Sequence, residues 1–240
     1  MARCGLTHGR CGRLGARCRS GDCIARTVRR LHEKRWRDRL GLFFVEGEDA
    51  VAAAAATPVE LLRAGEEVEP RLLAEVATAA HPPRVIALYR RGDLPGWEER
   101  DATLALWRLA DPGNVGTLIR TADAFGAAVA LSDGCADPTS PKAIRASAGS
   151  IWRVPLGAWD PSNRLLQGTR RVALTAHGGE DLAEVDLSGR VAFLLGAERE
   201  GLPEEVLRDV DVTIPIQGAE SLNVAATGAI ALYELGRRRS

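Results

Sequence analysis

From residue 103 onward the chain alternates short apolar runs with stretches of helical spacing, and no other feature constrains its fold as tightly. TLALWRL (103–109), AAVALS (127–132), RRVALTAH (170–177), VAFLLG (191–196) and DVTIPI (211–216) read as strands. NVGTLIRTADAFG (114–126), SPKAIRASAG (140–149), PEEVLRDV (203–210) and NVAATGAIALYELGRR (223–238) read as helices. Strands that are apolar on both faces, separated by helices, are the pattern of a parallel α/β sheet covered by helices. Such sheets bind ligands outside the carboxyl ends of their strands.

The N-terminal part reads differently. ARTVRRLHEKRWRDR (25–39) is expected to form one basic helix, and LGLFFVEGEDAV (40–51) a strand running into a helix. VELLRAG (59–65) and PRVIALYR (83–90) read as strands, with a helix over 69–80 between them. The expected organisation is a basic, disordered arm over 1–24, a small α/β domain over 25–92 and a larger α/β domain over 100–240. The Gly-, Pro- and charge-rich segment GDLPGWEERD (92–101) joins the two domains.

Lys and Arg balance Asp and Glu at 32 each, but the balance hides an asymmetry. Residues 1–39 hold twelve basic residues against Asp22, Glu33 and Asp38, a net +9, so the remainder is net −9. A basic arm on an acidic body suits a polyanion, although a solvated tail without function has the same composition. No apolar run reaches the ~20 residues needed to span a bilayer, so a cytoplasmic protein without membrane association is expected. Four of the five cysteines, at 4, 11, 18 and 23, lie far apart for zinc ligands, so reduced, unpaired thiols and no metal are expected.

Three segments follow strands and are rich in Gly, Asn and Pro. In DPGNVGTLIRTADAFGA (111–127), Asn114 can cap the helix, Gly116 permits close approach, and Arg120 can pair with Asp123. In FLLGAEREGLP (193–203), a strand ends at Gly196 and Glu198 follows in a tight loop, where it can be merely a solvated acid. In IPIQGAESLNVAATGAIALYEL (214–235), Pro215 ends a strand and Ser221 can cap the next helix. That helix carries small residues at Ala225, Ala226, Gly228 and Ala229, which permit tight backbone packing. No G-x-G-x-x-G follows the first strand of this domain, which argues against a dehydrogenase.

Together, NVGTLIRTADAFG, LGAEREGL and IPIQGAESLNV with LYE resemble the three motifs of the SpoU (TrmH-like) branch of the SPOUT superfamily. The resemblance covers about residues 100–236. The region from about 26 to 90, above all RRLHEKRWRDRLGLFFVEGEDAV, is similar to the family's small substrate-binding domain. The resemblance implies S-adenosylmethionine-dependent methylation of a ribose 2′-hydroxyl in RNA, with ribosomal RNA favoured by the N-terminal domain. It also implies a C-terminal trefoil knot, which general fold rules would not anticipate. A homodimer through the C-terminal helix is implied as well, on the small-residue face of Ala225, Gly228 and Ala229. As catalytic residues it implies Arg120, Asn114, Glu198, Ser221 and Asn223. For the cofactor it implies Leu195, Gly196, Ala197, Gly201, Ile214, Pro215, Ile216, Ser221 and Leu222. Ala225 stands where many relatives have Ser. The alternatives are a transfer RNA ribose methyltransferase and a non-catalytic RNA-binding or ribosome-assembly protein on the same fold.

Overall fold

The computed structural model describes residues 20–79, 81–162, 164–175, 179–197, 200–207, 212–214 and 222–239, with backbone alone for 20–22 and 212–214. The chain divides into two compact units, 1–52 with 56–90, and 53–55 with 91–240.

In the first unit, helices α1 (Ser20–Leu31) and α2 (Lys34–Leu40) precede strand β1 (Leu42–Glu46) and the short helix α3 (Glu48–Ala52). Strand β2 (Glu60–Arg63), helix α4 (Pro70–Val76) and strand β3 (Val85–Arg90) follow. The strands form an antiparallel sheet in the order β1-β3-β2. Phe44, Leu62, Ile86 and Leu88 from the sheet bury against Val28 and Leu31 of α1 and Leu73 and Val76 of α4. Burying side chains of this size contributes about 1.5–3 kcal/mol each. The single helix expected over 25–39 is two. It breaks at His32 and Glu33, where the buried Arg37 donates from Nη1 to the carbonyls of Leu31 at 2.7 Å and His32 at 2.9 Å. A guanidinium folded back onto the last carbonyls of α1 satisfies groups that a helix end leaves open. Helix α1 also begins inside the segment expected to be a disordered arm. Cys23 is disulfide-bonded, contrary to the expectation of unpaired thiols; its partner lies outside the described residues.

In the second unit, strand β4 (Ala102–Leu106), helix α5 (Pro112–Ala124), strand β5 (Ala128–Leu131), helix α6 (Pro141–Ser147) and strand β6 (Leu156–Ala158) come first. They are followed by β7 (Arg170–Leu174), β8 (Val191–Leu195), helix α7 (Glu204–Leu207), β9 (Val212–Ile214) and helix α8 (Val224–Arg239). All six strands are parallel, in the order β6-β5-β4-β8-β7-β9. Strand β9 ends at Ile214, one residue before Pro215, which has no amide to offer a ladder. Strand β6 escaped the sequence reading because three residues carry no readable period.

One face of the sheet meets α5 and α8. A Cβ on Gly228 of α8 would lie 2.5 Å from Leu118 Cδ2 of α5 and 3.2 Å from Leu195 Cδ1 of β8. Gly116 of α5 is as tight against α6, 2.3 Å from the Ala143 carbonyl oxygen. The other face carries Ala105, Ala130, Ala173, Ala192 and Leu194 against Trp107, Trp159, Leu166 and Val206. Among the described residues, no helix is long and apolar enough to cross a membrane.

Candidate active site at the carboxyl end of the parallel sheet

From β4 the chain moves outward through α5 to β5 on one side; from β8 it moves through α7 to β9 on the other. The crevice between the ends of β4 and β8 is therefore the switch point of the sheet, where open α/β folds bind ligands. Leu106, Leu195, Leu174 and Ile214 share the last rung of the ladder. Leu195 and Ile214 are two strand spacings apart, roughly 10 Å. Past Leu195 the chain leaves the sheet at Gly196, where backbone groups outside the ladder can meet a ligand. The loop after β8 turns back sharply. Gly201 N donates to Ala197 O at 2.8 Å, and Gly201 adopts φ +67°. A Cβ on Gly196 would lie 2.3 Å from the Gly201 carbonyl carbon, so only glycine permits this fold-back. The structure thus gathers Leu195, Gly196, Ala197, Gly201 and Ile214 along one edge. Glu198, Pro215, Ile216 and Ser221 lie outside the described residues.

Asn114 does not have the capping role that its position before a helix suggested. Asp111 caps α5, accepting from Gly113 N at 2.9 Å, with Pro112 in the first turn. Lys142 Nζ sits 2.5 Å from Asp111 Oδ1, and its hydrogen bond, with that of Gly113, holds the Asp111 carboxyl below its ordinary range. The Asn114 side chain is left to another partner: Asn223 Nδ2 donates to Asn114 Oδ1 at 3.2 Å. Asn223 Oδ1 in turn accepts from Ala225 N at 2.9 Å and Ala226 N at 3.3 Å. One carboxamide therefore caps α8 and ties it to the first turn of α5. Asn223 Oδ1 thus supplies a side-chain acceptor to the start of α8, while the capping expected of Ser221 lies outside the described residues. Leu222, beside it, is 38% exposed.

Arg120 is on the same helix but does not point with Asn114. Six residues advance about 9 Å along an α-helix and about 240° around it. Its side chain is exposed, and the expected alternative partner, Asp123, is occupied by Arg153. Arg153 Nε lies 3.1 Å from each Asp123 oxygen, and Nη2 lies 2.5 Å from Oδ2. That bidentate pair lowers the Asp123 pKa, against the opposing effect of burial. Among the described residues Arg120 has no ion-pair partner, and a cation exposed in this way is open to an external anion.

Residues 101–233, which carry every candidate position, match the model of the SpoU rRNA Methylase family. The chain belongs to this family. It is 32% identical to the 23S rRNA (guanosine(2553)-2'-O)-methyltransferase RlmP of Bacillus subtilis, covering 86% of this chain and 93% of that enzyme. In structure it is similar to the SpoU methyltransferase AviRb from Streptomyces viridochromogenes in complex with AdoMet. The TM-score there is 0.78 at 26% identity, over 90% of this chain and 97% of that one. It is also similar to the AdoMet-bound rRNA methyltransferase from Sinorhizobium meliloti, with a TM-score of 0.79 at 29% identity over 90% and 94% of the two chains. The SpoU site here suits an adenosine-containing cofactor in its own right. Backbone groups of the loop at Gly196 and Ala197 can meet an adenine edge and ribose hydroxyls. The side chains of Leu195, Ala197 and Leu222 present no charge to such a ligand.

Proposed function

We infer that this SpoU-family protein methylates the 2′-hydroxyl of a ribose in ribosomal RNA, using S-adenosylmethionine. The observation that carries this reading is the Asn223–Asn114 hydrogen bond, which joins the third motif to the first at the carboxyl edge of the sheet. Similarity to a 23S rRNA 2'-O-methyltransferase across both units supports ribosomal RNA as the substrate class.

Bound S-adenosylmethionine supplies an electrophilic methyl group. Its transfer to the ribose oxygen would break the carbon–sulfur bond, leave the neutral thioether S-adenosylhomocysteine and release the hydroxyl proton to water. The protein's share is alignment of oxygen, carbon and sulfur, and stabilisation of the oxygen as it becomes an alkoxide. The Arg120 guanidinium donates to the ribose oxygen or the adjacent phosphate, lowering the alcohol's pKa. Asn114, held by Asn223, orients the ribose. Glu198 braces the loop after β8, and Ser221 shapes the pocket beside Asn223. The backbone at Leu195, Gly196, Ala197, Gly201, Ile214, Pro215, Ile216 and Leu222 receives the cofactor.

We place a trefoil knot in the C-terminal segment. The return of the chain from β9, on the sheet edge, to α8 against α5 and β8 supports it. We also place a homodimer contact on α8, but not on the face first expected. Ala225 and Gly228 are buried within their own chain, whereas Ile230 and Tyr233 are 53% and 61% exposed. Sedimentation of the wild type as a dimer, and of Tyr233→Glu as a folded monomer, checks this. The 1–24 segment, with Arg3, Arg10, Arg13, Arg17 and Arg19, adds salt-dependent affinity for RNA phosphates, and the reaction is cytoplasmic.

The test of the function is a map of 2′-O-methyl sites in total RNA from cells with and without the protein. Loss of one or more ribosomal RNA sites is expected. Loss confined to transfer RNA, or no loss, would contradict the assignment.

A further inference from the structure

The turn that leaves β4 contains a residue in an uncommon conformation. Arg108 has φ +51°, in the left-handed region that favours glycine and asparagine. Local strain of this kind persists where surrounding structure enforces it, and it concentrates at functional sites. The enforcing contacts are visible. Trp107 N donates to Leu195 O at 2.8 Å, which extends the β4–β8 ladder by one residue. Arg108 N donates to Ser132 Oγ at 2.9 Å, Ser132 N to Leu106 O at 2.9 Å, and Ala136 N to Leu109 O at 2.7 Å. The Cys135 thiol reaches Leu106 O at 3.3 Å. The loop after β5 therefore clamps residues 106–109 from one side while β8 holds them from the other.

The outcome of that clamp is an exposed cation at the mouth of the candidate site. Arg108 lies two residues past Leu106, which pairs with Leu195 at the end of the ladder, and six residues before Asn114. Its guanidinium lies 5.3 Å from the centroid of the Trp107 ring, which is 8% exposed and itself packed edge-on against Trp159. Gly134 lies under its stem: a Cβ there would be 3.1 Å from Arg108 Cγ. Among the described residues no carboxylate pairs with it. A guanidinium steadied by a ring, with no acid among the described residues to neutralise it, suits a phosphate.

We propose that Arg108 is a substrate-positioning residue that grips an RNA phosphate next to the target ribose. This rests on the ribosomal RNA methyltransferase reading above. The strained backbone holds Arg108 at the carboxyl end of β4, with its guanidinium over the Trp107 ring. It gives Arg108 a place in KM for RNA rather than in the chemical step.

The decisive experiment compares wild type, Arg108→Gly and Arg108→Lys in three measurements. These are thermal unfolding, binding of in vitro transcribed 23S rRNA across a salt titration, and steady-state methyl transfer. Glycine adopts positive φ without strain, so Arg108→Gly is expected to keep the wild-type melting temperature or raise it. Its KM for RNA should rise about tenfold, with kcat within about twofold, as one charge-assisted contact is lost. The slope of log K against log salt should become shallower by about 0.7–0.9, one phosphate contact fewer. Arg108→Lys should restore the slope and part of the KM. An unchanged salt slope in Arg108→Gly would overturn the proposal; with a lowered melting temperature it would show that Arg108 only packs on Trp107. Because a phosphate contact does not read sequence, the salt titration reports on Arg108 even if the wild type methylates no ribosomal RNA. That second result would sink the functional reading alone.

Discussion

At the scale of single residues, the account turns on two side chains whose alternative roles the structure separates. Asn223 both caps α8 and reaches Asn114. Asn223→Asp keeps an acceptor for the Ala225 and Ala226 amides, and aspartate is as good a cap as asparagine. It cannot donate to Asn114 while ionised. The melting temperature should therefore stay near wild type while single-turnover methyl transfer falls about tenfold or more, a loss of the order expected when a positioned catalytic group is misplaced. A parallel loss of stability and rate would reduce Asn223 to a cap. Arg120→Ala should leave stability within about 0.5 kcal/mol, since the side chain is exposed and makes no ion pair among the described residues. Turnover should drop by about two powers of ten, as on loss of a donor to a developing oxyanion, with cofactor affinity unchanged. Near-normal single-turnover rates would refute its role. The sequence marked both residues as candidates through the motifs that hold them, yet it offered Arg120 the wrong local partner and gave Asn223 none. Asp123 looked free for Arg120 because three residues separate them on one helix. Arg153, 30 residues later, takes it instead. The strain at Arg108 left no trace in the sequence, because its conformation is imposed by β8 and the loop after β5.

At the scale of elements, the small-residue stripe of α8 shows how a correct pattern can be given the wrong surface. Gly228 does permit close packing, but against Leu118, Leu195 and Leu104 of the same chain, and Ala225 is buried as well. Gly228→Leu should therefore destabilise the monomer fold itself. The new side chain begins 2.5 Å from Leu118 and has no room to turn, so a loss of about 1–3 kcal/mol or more is expected in chemical denaturation. A variant with wild-type stability and only a defect in self-association would restore the original reading of the stripe. The strands and helices around the site were readable because each carries a clear period. The division of the basic N-terminal helix into α1 and α2 was not, because it depends on where the Arg37 guanidinium folds. The three-residue β6 is defined by pairing with β5 rather than by its own composition.

At the scale of the whole molecule, alternation of strands and helices announced a parallel sheet, and six parallel strands are present. Their order was not legible, because insertion of β8 between β4 and β7 is a long-range choice that local periodicity does not encode. That order creates the switch point and brings the end of β8 to the turn leading into α5. The central claim is that this edge transfers a methyl group to a ribose oxygen, and one measurement addresses it most directly. Purified protein is incubated with methyl-labelled S-adenosylmethionine and ribosomal RNA from cells lacking the protein, and the RNA is then hydrolysed in alkali. Alkaline cleavage needs a free 2′-hydroxyl, so a 2′-O-methyl group protects the adjacent bond. The account predicts label in alkali-resistant dinucleotides, released by nuclease as 2′-O-methylribonucleoside. Label recovered on a base, or no transfer by protein that binds S-adenosylmethionine, would contradict it.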